Sequence, residues 1–147
     1  MSSDYVVEYT YTPPDLIEKV PEDRRSEVQE EIATFLLESI LEHVGSGKSP
    51  VAGGKFKSTL SSEYAERKGD NLANLDLTGD MLRALEFKIS KDGSITFGVW
   101  DDDQAPKFYN HQVGDTLPRR QVLPEEEQSF KREINAGVKR IIEEYLE

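Results

Sequence analysis

Between Pro21 and Val44, apolar side chains recur every three or four residues, the spacing that places them on one face of an α-helix. Leu37 and Leu41 widen this face in the second half of the segment, so that half needs cover from more than one side. The stripe consists of Val28, Ile32, Phe35, Leu36, Ser39, Ile40 and His43. The pattern predicts a long helix over residues 21–44. It must pack against another element, because an isolated amphipathic helix is barely stable in water.

A second stripe of the same kind lies near the C-terminal end of the sequence. Its members are Phe130, Ile134, Val138, Ile141 and Tyr145. Upstream of them, Pro124 and the acidic run 125–127 suit the first turn of a helix, where proline loses no hydrogen bond and acids favour the helix dipole. We therefore expect the final helix to begin near Pro124.

Shorter patterns predict a small sheet. Alternation of polar and apolar side chains over residues 5–11 indicates a half-buried strand. Two more strands are expected at 86–90 and 94–100, because Lys91-Asp92-Gly93 between them suits a tight hairpin turn. A short helix is expected over residues 104–113. These elements favour an α+β fold, with two long helices packed on a small antiparallel sheet that contains the hairpin.

Length and composition set the broad class. The chain has 147 residues, which fits one domain over 1–147. It contains no cysteine, which excludes disulfides, zinc–thiolate centres, iron–sulfur clusters and thiol catalysis. No apolar run reaches the roughly 18 residues of a membrane helix, and no signal-type apolar stretch follows Met1. We expect a soluble protein that is intracellular when made.

Residues 45–57 are expected to form a long flexible loop. They include four glycines and three lysines, and no acidic residue occurs between Glu42 and Glu63. Ordering by a partner is one interpretation of this basic stretch, and a solvated loop is the other. The candidate contact residues within it are Lys48, Lys55, Phe56 and Lys57.

The formal net charge is −11, and the acids are concentrated in the helical segments. Residues 15–43 hold nine acidic and three basic side chains, whereas residues 44–124 hold eleven of each. Ordinary binding to duplex DNA is disfavoured, because affinity for DNA comes largely from neutralised phosphates. The acidic residues of the first long helix that we take as candidates for a functional surface are Glu22, Asp23, Glu27, Glu30, Glu31, Glu38 and Glu42.

The motifs that resemble catalytic or metal sites have simpler explanations. Gly45-Ser46-Gly47-Lys48-Ser49 looks like the end of a phosphate-binding P-loop, but Glu42 stands where the motif requires its first glycine. Asp101-Asp102-Asp103 lacks the spacing of a calcium loop and is interpreted as a solvated turn. No nucleophile-elbow pattern is present. We expect no catalysis, no metal and no cofactor.

In two segments, polar side chains lie next to large apolar ones at sharp bends of the chain. Packing of a core alone does not explain these polar side chains. These polar groups are Thr78, Asp80, His111, Gln112, Arg119 and Arg120. Phe108, Tyr109 and Trp100 are assigned to the core instead, since large aromatic side chains are usually packed.

In their order along the chain, these segments resemble the virion-morphogenesis and tail-completion proteins of tailed bacteriophages, the small neck proteins that join head to tail. The family's Leu-Thr-Gly-x-Met-Leu is matched at 77–82, and its β-hairpin at 86–100. Its Tyr/His-Gln-x-Gly segment is matched at 109–114, and its Pro-x-Arg-x-apolar-Leu segment at 118–123. The resemblance covers roughly residues 50–124, about half of the chain.

The resemblance implies a non-enzymatic structural protein that forms a homo-oligomeric ring or collar between portal and tail, as a connector, neck protein or tail terminator. It implies assembly in the host bacterial cytoplasm and a place in the virion at the head–tail junction. Neighbouring phage proteins are the implied partners, with DNA only as passing cargo and no membrane. An arginine after Pro118 is the implied contact. Arg120 is favoured, because Arg119 takes the place of a small residue, and a solvated loop pair is the alternative.

Two other functions stay open. An acidic helical surface could mimic DNA and inhibit a nucleic-acid enzyme, and a hydrolase could bind a metal at Asp101–Asp103. In a ring that DNA traverses, the first long helix is expected to face the lumen, because an acidic wall repels the phosphates. Solvation of an outer helix face is the alternative interpretation of the same acids.

Overall fold

A computed structural model describes residues 7–45, 48–52, 83–101, 103–113, 122–125 and 128–146. The chain in these ranges forms strand β1 (Glu8–Tyr11), helix α1 (Arg25–Gly45), strands β2 (Leu85–Ile89) and β3 (Ile95–Val99), and helices α2 (Ala105–Val113) and α3 (Arg132–Leu146). Two short 3₁₀ turns, Asp15–Lys19 and Glu22–Arg24, lie between β1 and α1. The expected α+β class is confirmed.

The three strands form one antiparallel sheet in the order β1-β3-β2. On the face toward the helices, Tyr9 and Phe87 flank Phe97 in register. The β2–β3 hairpin is confirmed. Its turn is closed by a hydrogen bond from Ser90 N to Ser94 O. Gly93 in this turn has φ near +90°, a backbone conformation that residues other than glycine rarely adopt. The sheet therefore offers one apolar face to the helices and one polar face away from them.

The long helix expected over 21–44 is confirmed, with its α-helical part beginning at Arg25. Its predicted stripe is the inward face, and Val28, Ile32, Leu36 and Ile40 are all fully buried. The guanidinium of Arg25 donates to the carbonyl oxygens of Val20 and Glu18, at 3.1 and 2.7 Å, and so holds the preceding 3₁₀ turns against the start of the helix.

The final helix begins at Arg132 and not near Pro124, which corrects the expectation from the sequence. Phe130 is extended and pairs with Val51 in an isolated antiparallel bridge. Ala52 N donates to Ser129 O, and Lys131 N donates to Pro50 O, both at 2.8 Å. These backbone bonds exclude helical geometry at 129–131, yet Phe130 is still buried in the core.

The same bridge anchors part of the segment expected as a loop over 45–57. Ser49, Pro50 and Val51 are buried, and Val51 is completely inaccessible. Lys48 is exposed, while Lys55, Phe56 and Lys57 lie outside the described residues. The described part of the segment is therefore packed on the domain.

Helices α1 and α3 pack on each other above the sheet. Gly137 of α3 lies against the ring of Phe35, so closely that a Cβ at this position would overlap the ring. The Phe130 ring reaches from the start of α3 to the sheet, with its centroid 5.4 Å from that of Tyr9 and 6.3 Å from that of Phe97. Within the described residues, no helix is both long and apolar enough to cross a membrane.

Candidate functional site

Helix α2 lies in the segment where the sequence predicts partner contacts. Asp101 begins it as a cap: its Oδ1 accepts hydrogen bonds from Asp103 N at 2.9 Å and Gln104 N at 3.0 Å. This role accounts for the Asp101 carboxylate without a metal. Among the described residues, no group of three or more His, Cys, Asp or Glu side chains is arranged to hold a metal ion.

The inward face of α2 carries one polar residue. Ala105 and Phe108 are buried, as the spacing predicts, and Gln112 follows them on the same face with only 2% of its surface exposed. Tyr109 is half-buried, so of the two aromatic residues of this helix Phe108 is the core residue. A polar side chain at a core position is costly unless it is hydrogen-bonded.

The Gln112 amide is bonded to the backbone of the segment that follows the helix. Its Oε1 accepts from Val122 N at 2.8 Å and from Leu123 N at 3.1 Å, and its Nε2 donates to Leu123 O at 2.7 Å. The Gln112 side chain thus satisfies backbone N–H and C=O groups that a neighbouring β-strand would otherwise bond. Val122 and Leu123 are themselves fully buried. Because the Gln112 amide is hydrogen-bonded inside the subunit, the expectation from the sequence that Gln112 is a surface contact group is wrong.

The other predicted contact residues are distributed as follows. The backbone of His111 lies in the last turn of α2. Lys48 is exposed just past the end of α1, with its backbone N bonded to His43 O at 2.9 Å. The remaining candidates, Thr78, Asp80, Pro118, Arg119 and Arg120, lie outside the described residues.

The outward face of α1 and the turn before it is acidic. All seven carboxylates chosen from the sequence are exposed, namely Glu22, Asp23, Glu27, Glu30, Glu31, Glu38 and Glu42. Arg24 pairs with Glu27 at 3.5 Å, and between Arg25 and the end of the helix the only ionisable base is His43. We call the exposed carboxylates of residues 27–42 the acidic face.

Tyr145 of α3 borders this acidic face. The Arg24 guanidinium lies 4.6 Å from the centre of its ring. Burial of the hydroxyl, followed by the charges of Glu31 and Glu27, raises the pKa of Tyr145. A further link between the helices joins His43 to Glu133 of α3, with Nε2 3.4 Å from the carboxylate while Nδ1 donates to Ser39 O.

The polar face of the sheet carries the chain's single tryptophan. The Trp100 ring lies close to Gly98, where a Cβ would approach its Cζ2 to 2.9 Å. Its Nε1 donates to the Glu8 carboxylate, and Lys88 Nζ lies 4.1 Å from the ring centre. The indole thus contacts Gly98, Glu8 and Lys88 and is half-buried.

A groove of about 390 Å³ lies between the hairpin turn and the start of α1. Its lining mixes carboxylates with Lys91 and Arg25, and the Arg25 guanidinium is already bonded to backbone carbonyls. Four carboxylates face two bases in this lining, so the groove is net negative; they are Asp15, Glu18, Glu22 and Asp92.

The two motif segments of the sequence meet at Gln112, and the acidic face lies on a different element, α1. In comparisons with known proteins, no protein-family model, no curated protein and no solved structure matches this chain.

Proposed function

We propose that this chain is a non-enzymatic structural protein of a tailed-phage virion, one that forms a homo-oligomeric ring or collar at the head–tail junction. The observation that carries the proposal is the connection made by Gln112. Two motif segments that the resemblance pairs only by their order, 109–114 and 118–123, are bonded to each other at this residue, directly after the hairpin. The described parts of the two segments, Gln112 and Val122–Leu123, are therefore held together in the core.

The proposed contacts follow from the charges. Arg120, and secondarily Arg119, pairs with a carboxylate of a neighbouring subunit or virion protein, because the planar guanidinium suits partly buried ion pairs. Lys48, Lys55 and Lys57 contribute further basic contacts. Contacts between different surfaces of identical subunits close into a ring when the rotation per subunit divides a full turn. Assembly takes place in the host cytoplasm, and the ring resides in the virion.

Substitution of Arg120 tests the contact directly. For Arg120→Ala we expect a melting temperature within about 2 °C of the wild type, because loss of a contact outside the subunit leaves its core unchanged. Assembly, measured by mass photometry and negative-stain imaging with and without neighbouring phage proteins, should be lost. Lys91→Ala, which removes an exposed base in the hairpin turn, is the matched control. Normal assembly of Arg120→Ala, or an unfolded monomer, contradicts the contact role.

The acidic face favours a second candidate, a DNA-mimicking inhibitor of a nucleic-acid enzyme. Five exposed carboxylates follow one another on α1 without an intervening Lys or Arg. Such a protein would act as a monomer on a basic partner, and its affinity would fall steeply between 50 and 500 mM salt (about the range over which screening becomes strong). A ring that persists at high salt supports the structural proposal, and a monomer with salt-sensitive binding supports the inhibitor.

A further inference from the structure

Strand β2 is an edge of the sheet, and half of its backbone groups point away from β3. Ser90 N donates to Ser94 O at the end of the hairpin, and bonded positions alternate with non-bonded ones along an antiparallel pair. The even-numbered residues of β2 therefore bond to β3, while the N–H and C=O groups of Leu85, Phe87 and Ile89 face the outer edge. Among the described residues, no other strand pairs with this edge.

The opposite edge of the sheet is less suited to accept another strand. β1 has four residues, and Pro13 and Pro14, which donate no backbone hydrogen bond, follow it closely. β2 has five residues, and Ile89 at its end is 37% exposed. An exposed edge pairs with another strand unless something blocks it. β2 is therefore the edge that another strand can extend.

The side chains of β2 are complementary to those of a second β2. Glu86 and Lys88 are both exposed on the polar face of the sheet. When two copies of β2 run antiparallel with Phe87 opposite its own copy, Glu86 stands opposite Lys88 of the partner subunit, and the reverse pair forms by symmetry. On the apolar face, Leu85 stands opposite Ile89 of the partner subunit. Opposite charges and apolar side chains paired in this way stabilise a sheet.

The backbone and the charges agree on this one register. It pairs the outward groups of residues 85, 87 and 89 with one another, which gives about six main-chain hydrogen bonds. A slip of two residues keeps that bonding pattern but places Glu86 opposite Glu86 of the partner subunit, or Lys88 opposite Lys88 of the partner subunit. Like charges directly opposite each other destabilise a sheet, so the two charged residues select one register.

We infer that the outer edge of β2 binds a second copy of this chain, which joins the two sheets into one continuous antiparallel sheet across a two-fold axis. The contact is isologous, because the same surface serves both subunits. It goes beyond the proposed function, since it uses only residues 85–89 and holds whether or not a ring forms. Five residues a side is small beside the roughly 20–30 of a standard interface, so we expect a dissociation constant of about 0.1–1 mM.

Charge exchange between the two charged positions tests the contact and its register. Glu86→Lys leaves two bases on the edge and Lys88→Glu leaves two acids, so each variant alone places like charges opposite each other. Sedimentation equilibrium from about 0.01 to 2 mM protein is measured in about 0.15 M salt, which screens long-range repulsion between the acidic subunits. We expect the dissociation constant of each variant to rise at least tenfold. An equimolar mixture of the two should associate about as tightly as the wild type, because bases on one chain then face acids on the other.

Two substitutions on α3 are the matched controls. Lys139→Glu and Glu144→Lys make the same changes in net charge at exposed positions on another element, and both should dimerise as the wild type does. Lys88→Glu also removes the contact between Lys88 Nζ and the Trp100 ring. Restored association in the mixture shows that loss of this contact is not responsible. The melting temperatures should stay within about 3 °C of the wild type, since the substituted side chains are exposed.

Three outcomes overturn the inference. The first is a wild type whose mass does not double over this concentration range, and the second is wild-type association of either Glu86→Lys or Lys88→Glu alone. The third is a mixture of the two variants that stays dissociated, which rejects the register. If the chain also forms the proposed ring, the contact doubles the ring and either variant returns it to a single one. Absence of the ring rejects the proposed function and leaves the dimer in place, so the two failures are distinguishable.

Discussion

At the scale of single residues, the side chains that organise this domain link segments that are distant in sequence. Trp100 contacts all three strands: its indole donates to Glu8 of β1, lies on Gly98 of β3 and is covered by Lys88 of β2. The close approach requires glycine at position 98, since a Cβ there would also come within 3.1 Å of the Val7 carbonyl oxygen. The polar face of the sheet is thereby ordered by one aromatic side chain.

Tyr11 gives the fold a dependence on alkaline pH. Burial, and secondarily the nearby Tyr9, raises the pKa of Tyr11 from its usual 10.0 to about 12. Between these two pH values the unfolded chain has lost the phenolic proton while the folded chain keeps it. The folded state binds more protons there, so stability contributed by the neutral phenol is present below pH 10 and is lost as pH rises toward 12.

We expect the free energy of unfolding to fall by about 1–2 kcal/mol over this window because of Tyr11 alone. Urea denaturation at intervals from pH 9 to 12 measures the fall. Tyr11→Phe is the control, since it removes the titrating hydroxyl and keeps the ring against Phe130, and its stability should decline less steeply. Identical slopes for the two proteins would show that Tyr11 is not the group responsible.

Gln112 illustrates what could have been found from the sequence at this scale. Its helix was predicted correctly, and its spacing from Ala105 and Phe108 places it on the apolar face, so burial was open to prediction. Its bonding partners were not, because no local pattern identifies Val122 and Leu123 as backbone groups that need a side-chain partner. The sequence interpretation therefore placed Gln112 on the surface, whereas its side chain is hydrogen-bonded in the interior.

At the scale of elements, periodicity predicted what local sequence determines. The helix at 21–44, the hairpin and the short helix after it all follow from spacing and turn residues. The start of α3 does not, because Phe130 continues the helical stripe in sequence but is paired in space with Val51. That pairing depends on a segment nearly eighty residues earlier, and its backbone bonds prevail over the local helix signal at 129–131.

The contact between α1 and α3 depends on a glycine, and this can be tested. Gly137→Ala alone would stabilise the helix by about 1 kcal/mol, because alanine has the higher helix propensity, but its Cβ would overlap the Phe35 ring. Overpacking of this kind costs about 1–3 kcal/mol, so we expect a net loss of stability in thermal or urea unfolding.

The double variant Gly137→Ala with Phe35→Leu is the decisive comparison, because the smaller side chain makes room for the new methyl group. The two substitutions should be less destabilising together than the sum of their separate effects, with a coupling of about 1 kcal/mol or more. Additive effects would mean that the ring moves aside at no cost and that the helices are not held at this distance by the glycine.

At the scale of the whole molecule, charge is distributed by element. The helices pack on one face of the sheet, and the outward side of α1 exposes Glu27, Glu30, Glu31, Glu38 and Glu42. These like charges repel one another, and the repulsion stays small because each carboxylate is exposed to solvent. In the proposed ring, a surface of this kind is suited to line a channel for DNA.

Replacing the five acidic-face glutamates by glutamine tests that orientation. The change reduces the formal negative charge from −11 to −6 (five charges removed) and leaves the buried stripe of α1 unaltered. Ring assembly should be normal, because in this orientation the acidic face points into the lumen and not toward a neighbouring subunit. Phosphates on duplex DNA lie about 1.7 Å apart along the axis, so a lumen without repulsion should retain DNA at low salt and reduce infectivity. A matched variant replaces five exposed glutamates of other segments by glutamine and should leave DNA passage unchanged; these are Glu18, Glu86, Glu125, Glu143 and Glu144. A map of the assembled ring in which residues 27–42 face outward, or equal infectivity of the two variants, would reject the lumen assignment while leaving the ring itself in place.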